Sequence, residues 1–337
     1  MLCSNNIKFY MGDPLQVRGA EELVLRNNTK GNGMRLLYIR NGLGLEVFLS
    51  LDRAGDAVRV NFKGDNLGFF APCGFVAPQY FDMSGAFLRN FTAGFFTTCG
   101  LTNVGEEGFD GEEKLAKHGT ISCTPAKLMG LEETNAGLTA EILVKEASLF
   151  GTKLTLKREY FFSYTENVFT LKDTVENVGD IDSPYMILYH CNMGYPLLSE
   201  NATLKIPGKI TPYNDWAAQN VDTVYDVSAP DENFKSRCYY FDVDKKNGFA
   251  NVGIYNEKIN KGLLISYSKE TLDNFTLWKL LRKGDYVIGL EPSNCSIDGR
   301  VKDRKRGILK TLKPNETTQN TLKFAFSENK KEFEDAF

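Results

Sequence analysis

This chain of 337 residues predicts an all-β fold, a large antiparallel sandwich. Three observations carry that expectation. Short runs rich in β-branched and aromatic residues, many with apolar side chains on alternate positions, follow one another at regular spacing from residue 119 onward. Almost no stretch keeps the 3.6-residue apolar period of an amphipathic helix. The 24 Phe and 15 Tyr supply the bulky apolar area that a broad sandwich core needs.

In order along the chain, strands begin early. From Ile7 to Val60 the runs MRLLYIRNG, LGLEVFLSL and AVRVNF are separated by Gly, Asn and Asp turn residues. The tip LDRAGDAV places Asp52, Arg53 and Asp56 around a glycine, which reads equally as a charged hairpin turn or as a site loop. Residues 64–117 are rich in Gly and Phe and poor in β-branched residues, so they are expected to be long, ordered, site-forming loops, with a short helix around Pro78–Leu88. After His118 the runs GLTAEILVKEASLFG, TKLTLKREYFFSY and NVFTLKDTVENVG predict an antiparallel meander turning at Gly151 and near Thr165-Glu166-Asn167. Further strands are expected in PYMILYHCNMG, ATLKIPG, SRCYYFDV, GFANVGIYN, KGLLISYSK, FTLWKLLRKG, DYVIGLEP, GILKTLKP and QNTLKFAFS. The tail SENKKEFEDAF reads as a short helix or a frayed end. With no repeat of fixed period and no low-complexity linker, residues 1–337 are expected to form one domain.

Composition narrows the function. A net charge of −3 offers no basic field for a phosphate backbone, so nucleic acid is not an expected partner. No apolar run approaches the ~20 residues that span a bilayer, so no membrane partner is expected either. The N-terminus MLCSNNIKFYMGD lacks the basic and apolar regions of a signal peptide, which makes the cytoplasm the expected location. Seven cysteines without a C-x-x-C pair or metal-ligand spacing read as reduced thiols, so no metal is expected.

The chain has only two histidines, and histidine is the side chain that changes charge most readily between pH 5 and 8. His190 sits in LYHCNMGYPLL, a strand-like run that breaks at Gly194 and Pro196. Asn192, two residues on, projects to the same face if the strand persists that far. Glu291 ends the apolar run YVIGL just before Pro292, where it is either a turn cap or a carboxylate delivered to a site. A positioned carboxylate and imidazole form a minimal acid–base pair, each member contributing typically ~10²–10⁴-fold. His118, in KHGTIS, taken alone reads as a structural histidine. No G-x-S-x-G, Walker, Rossmann or H-E-x-x-H pattern occurs, so no cofactor is expected.

In LDRAGDAV, FFTTCGLTNVG, HGTISCTPA and LYHCNMGYPLL, supported by GLEPSN and GILKTLKPNETT, the chain resembles the aldose 1-epimerase (galactose mutarotase) superfamily. The likeness is greatest to a divergent bacterial branch catalogued as a domain of unknown function. The resemblance implies a β-supersandwich with an open sugar cleft on its concave face. It implies His190 as general acid, Glu291 as general base and His118 as a sugar-binding group, with Arg53 as a candidate substrate contact, although the early arginine pattern differs from that of the galactose enzymes. Asn192 joins the substrate-binding candidates. The implied ligand is a small-molecule carbohydrate, and the implied reaction is interconversion of its anomers by ring opening and reclosure. A non-catalytic sugar-binding protein and an isomerase acting beyond the anomeric carbon are the alternatives. A homo-oligomer is compatible with the sequence.

Overall fold

The computed structural model describes residues 17–26, 28–82 and 87–337. Expectations for the strand signal from Ile7, for Cys3 and for the middle of the segment 78–88 lie outside the described residues or partly so.

Three antiparallel sheets organise the chain. The first is a five-stranded meander of Gly19–Val24, Arg35–Arg40, Leu45–Ser50, Asp56–Phe62 and Asp65–Asn66, in sequence order. The second has nine strands. It starts with the predicted meander Gly137–Ala147, Lys153–Ser163 and Val168–Asn177, flanked by Ala126–Glu133, and continues through Thr317–Ser327, Lys261–Ser268, Phe249–Asn256 and Ala202–Lys205, with the short Lys245–Lys246 also paired to Phe249–Asn256. The third, with seven strands, runs Gly208–Pro212, Arg237–Val243, Asn274–Arg282, Asp285–Ser293, Ser183–Met193 and Lys310–Leu312, and Phe96–Leu101 also pairs with Ser183–Met193.

The nine- and seven-stranded sheets pack face to face, and the alternation of side chains along each strand decides what meets between them. Phe96 stacks on Phe324 at 5.9 Å, and Tyr267 on Phe275 at 6.0 Å, in one continuous apolar core that runs from Leu37 to Phe326. A buried ionic network crosses the same interface. Arg158 makes paired contacts to Asp173 at 2.9 and 2.7 Å, reaches Asp56 at 2.7 Å and donates to the Thr98 hydroxyl at 2.8 Å. Tyr189 donates to Asp173 at 2.8 Å. Because Tyr189 and Cys191 face this core, His190 and Asn192 are directed to the opposite face of the strand.

One reading needs correction, and one helix was not foreseen. Residues 64–117 contain a strand, Phe96–Leu101, which pairs with Ser183–Met193 and whose six residues are all buried. A strand buried on both faces has no alternating pattern, and FTTCGL with its glycine resembles the loops around it. A helix, Arg300–Arg306, lies between the strands Asp285–Ser293 and Lys310–Leu312 of the seven-stranded sheet. Its sequence RVKDRKR is too short and too charged to show an apolar stripe. The expected helix near Pro78–Leu88 resolves into a 3₁₀ turn at Pro78–Tyr80 and a single α-turn at Phe87–Asn90, and the tail forms a helix at Lys330–Glu334. No described helix is long and apolar enough to cross a membrane.

Candidate functional site

Register brings the two proton-transfer groups together. Ser183–Met193 and Asp285–Ser293 pair antiparallel with Leu188 opposite Ser293 and Cys191 opposite Leu290, which sets His190 opposite Glu291 on one face. His190 Nε2 lies 3.2 Å from Glu291 Oε1. The separation is that of a hydrogen bond, but the ring nitrogen does not aim at the oxygen, and Oε1 has no hydrogen-bond partner. Both residues are buried, at 7% and 2% exposure. Gly289 makes room for the carboxyl. A Cβ there would collide with Glu291 Oε1 and lie 3.1 Å from its Cδ.

Burial sets the protonation of the pair. It pushes the Glu291 carboxyl well above the usual carboxylate range and takes His190 down to about 4, the Asn192 amide working weakly in the other direction. Burial thus favours the uncharged form of each member, the protonated carboxyl of Glu291 and the neutral imidazole of His190.

His118 arrives from a different part of the chain. It has a left-handed φ of 56°, and the next residue, Gly119, has a φ of 75°. A non-glycine residue in that region is uncommon and persists where its surroundings hold it. Here the His118 N–H donates to Gly105 O at 2.9 Å and the Gly100 N–H donates to His118 O at 3.0 Å. A Cβ on Gly119 would come within 2.7 Å of Asn103 O. The ring Nδ1 accepts from the Gly105 N–H at 3.4 Å, which assigns the proton of the neutral imidazole to Nε2. Burial first, and the neighbouring His190 second, hold His118 well below its ordinary pKa. The two imidazole centroids are 5.9 Å apart.

Around these groups lies a cavity of about 320 Å³ that includes His118, His190 and Glu291 in its lining. Its walls are aromatic. Phe91 packs against His190 at 5.0 Å, Trp278 meets the same ring edge-on at 5.2 Å, and Phe87 covers His118 at 4.9 Å. Trp278 Nε1 donates to Ser236 Oγ at 2.8 Å, fixing the indole plane, and Tyr213 donates to Asp298 at 3.1 Å. Lys117 and Glu106, paired at 3.2 Å, supply charge to the lining. A larger groove of about 540 Å³ runs beside Phe62, Phe326 and Phe333, but it contains no histidine and no acid–base pair, so the smaller cavity is the candidate site.

Of the residues singled out from sequence, His118, His190 and Glu291 converge here. Asn192 lies behind them, fully buried, its amide donating to His190 O at 2.7 Å, and it does not line the cavity. Arg53 is placed elsewhere. It is buried at 3% exposure, donates to Val76 O at 2.9 Å, and is absent from the cavity wall. Its neighbours in the motif are engaged structurally, Asp52 with Arg35 at 2.6 Å and Asp56 with Arg158. The hairpin-turn reading of LDRAGDAV thus describes what these three side chains touch. Sequence reasoning missed Phe91, Trp278, Tyr213 and Gly289. Trp278 is one of two tryptophans, on an alternating strand, and that rarity was the one usable signal. Among the described residues no cluster of His, Cys, Asp or Glu is arranged to hold a metal ion.

An antiparallel sandwich with this sheet order is a galactose mutarotase-like fold, and solved structures of that class superpose on the chain. A protein of Klebsiella pneumoniae named as a candidate aldose 1-epimerase is 25% identical, with a TM-score of 0.87 over 95% of this chain and 86% of its own. A galactose mutarotase-like protein of Clostridium acetobutylicum is 16% identical, with a TM-score of 0.64 over 93% and 99% of the two chains. A galactose 1-epimerase of Lactobacillus acidophilus is 15% identical, with a TM-score of 0.59 over 92% and 99%. At those last two identities the likeness is one of fold. No curated protein matches the chain. The chain belongs to the family described as Domain of unknown function (DUF4432), which matches residues 31–326.

Proposed function

We propose that the protein interconverts the α and β anomers of a free monosaccharide or monosaccharide derivative by acid–base ring opening, with His190 and Glu291 as the catalytic pair. The observation that carries the reading is the 3.2 Å approach of two buried, oppositely suited groups beside an aromatic-walled cavity. One group takes the proton of the anomeric hydroxyl while the other gives a proton to the ring oxygen. The C1–O5 bond breaks, the open aldehyde or ketone forms, and rotation about C1–C2 followed by reclosure on the other face gives the second anomer. The pair ends with the one proton it began with. Phe91 and Trp278 would stack on the apolar face of the ring, and His118 Nε2–H would donate to a sugar hydroxyl. A volume of about 320 Å³ is at the small end for ligand pockets and suits one sugar ring. The single core from Leu37 to Phe326 supports reading the described chain as one domain.

The resemblance to mutarotases makes Glu291 the base and His190 the acid. The opposite directions in which burial moves the two groups favour a second assignment of the same pair, in which Glu291 gives a proton to the ring oxygen and neutral His190 takes the anomeric proton. Both assignments use the same atoms and the same single proton.

The test is magnetisation-transfer NMR between α and β anomeric protons over free aldoses, ketoses and uronic acids. Faster exchange of at least one sugar is expected. Binding of several sugars with no faster exchange would identify a carbohydrate-binding protein instead, and a change in the sugar's identity would identify an isomerase acting beyond the anomeric carbon.

A further inference from the structure

Glu291 has a neighbour on its other side. In the pairing of Asn274–Arg282 with Asp285–Ser293, Thr276 stands opposite Glu291, so His190, Glu291 and Thr276 form a row across three adjacent strands on one face. Side chains in such directly opposed positions have Cβ atoms ~4.5–5.5 Å apart, within reach of a glutamate carboxyl. Thr276 is 1% exposed, and its hydroxyl has no hydrogen-bond partner, as Glu291 Oε1 has none. A buried hydroxyl without a partner is a net cost to the fold. Valine has the same branched shape without that cost, so a threonine here is accounted for by a partner that appears in another state of the site.

We propose that Thr276 is a positioning residue of the acid–base pair, whose hydroxyl donates to the Glu291 carboxylate whenever that group is ionised. This rests on the reading of Glu291 and His190 as the proton-transfer pair. In the structure the carboxyl lies over Gly289 toward His190. Once the proton leaves, the carboxylate gains a donor one strand away, and the hydroxyl gains the acceptor it lacks. A hydrogen bond to a charged group is among the stronger ones. The arrangement therefore lowers the energy of the ionised form without holding the neutral form away from His190. The other titratable groups around Glu291 are His118, Lys117 and Glu106 on the cavity wall, Cys238 on the strand beyond Trp278, and the buried thiols Cys99 and Cys191. The thiols stay neutral because burial pushes them up, and none of these groups stands directly opposite Glu291 in the sheet as Thr276 does.

The experiment compares Thr276→Val and Thr276→Ser with the native chain by three measurements. Denaturant unfolding of Thr276→Val should give an unchanged or higher midpoint, because the hydroxyl it removes has no partner in the resting protein. The carboxyl stretch of Glu291, isolated in infrared difference spectra against Glu291→Gln, should titrate about one pH unit higher in Thr276→Val and near the native value in Thr276→Ser. Anomer exchange should fall about tenfold in Thr276→Val, with its basic limb moved upward by the same interval, and recover in Thr276→Ser. An unmoved Glu291 titration in a folded Thr276→Val protein overturns the proposal, and so does a loss of stability that accounts for the loss of rate. The infrared titration needs no substrate. A protein in which Thr276 shifts Glu291 but no sugar exchanges would refute the mutarotase reading while upholding the Thr276 contact.

Discussion

Gly289→Ala perturbs the proposed pair while leaving both of its members in place. A Cβ at this position collides with Glu291 Oε1, lies 3.1 Å from its Cδ and 3.2 Å from Trp278 Cβ. Carbon atoms pack at ~3.5–4.0 Å, so the carboxyl has to swing aside by about 1 Å. That motion opens the 3.2 Å approach to His190. A misplacement of about 1 Å in a reacting group costs on the order of 10²-fold in rate. The fold should tolerate the change, because Gly289 is not among the residues with left-handed φ and what yields is the end of a side chain. Alanine also restricts the unfolded chain, which favours the native state by ~0.4–1 kcal/mol. The assay pairs anomer exchange, on whichever sugar the native protein accelerates, with urea unfolding. Exchange about a hundredfold slower in a protein of equal or greater stability is expected. Near-native exchange in Gly289→Ala would refute the geometry of the pair, since no relay that depends on the present carboxyl position could survive its displacement.

Exchange should be fastest between a lower limit near pH 4, where His190 takes up a proton, and an upper limit set by ionisation of Glu291. His190→Asn should remove the lower limb and Glu291→Gln the upper one, each at a cost of at least ~10²-fold in turnover. The double variant should lose far less than the product of the two losses, because the groups act as one unit. Independent, multiplicative losses would count against the relay. Glu146 accepts from the Leu101 N–H at 3.3 Å and the Thr120 hydroxyl at 3.2 Å, behind the His118 turn, and burial raises it to about 7. The folded carboxyl then keeps a proton that the unfolded one releases above 4.5, so its contribution to stability is full below pH 4.5 and is lost as pH rises through 7. Glu146→Gln should abolish a loss of about 3 kcal/mol between pH 4.5 and 8 in urea unfolding, and parallel curves for the two proteins would contradict the assignment. Arg158→Met leaves Asp56 and Asp173 buried beside each other without their cation, and should lower stability by about 3–5 kcal/mol in the same assay. A change below about 1 kcal/mol would show that the network is not holding the sheets together.

The sequence by itself determined the local structure wherever one face of a strand meets the core and the other does not. The meander Gly137–Asn177, with its alternating burial, is legible for that reason. So are the strands that carry His190 and Glu291, the persistence of the first through Asn192, and the two residues themselves, picked out by the scarcity of histidine and by a carboxylate at the end of an apolar run. The family resemblance added His118 to that pair. It also added Arg53, whose position depends on tertiary structure: the same tip of chain could face the cavity or close a hairpin, and its guanidinium donates to the Val76 carbonyl outside the cavity lining.

Tertiary structure alone decided that Phe96–Leu101 is a strand, since burial on both faces erases the alternation by which strands are read. It alone put His118 within 5.9 Å of His190, through backbone hydrogen bonds between segments that no local pattern connects. Strand register is likewise a property of the assembled sheet, and a slip of one residue would turn Glu291 into the core. The row of His190, Glu291 and Thr276, with Gly289 and Trp278 beside it, exists only once the hairpin of Asn274–Arg282 and Asp285–Ser293 is hydrogen-bonded to the distant strand Ser183–Met193 in that register. Protonation follows the same rule. A carboxylate and an imidazole have ordinary pKa values in the unfolded chain, and it is their removal from water by the surrounding sheets and aromatic walls that raises Glu291 and lowers His190.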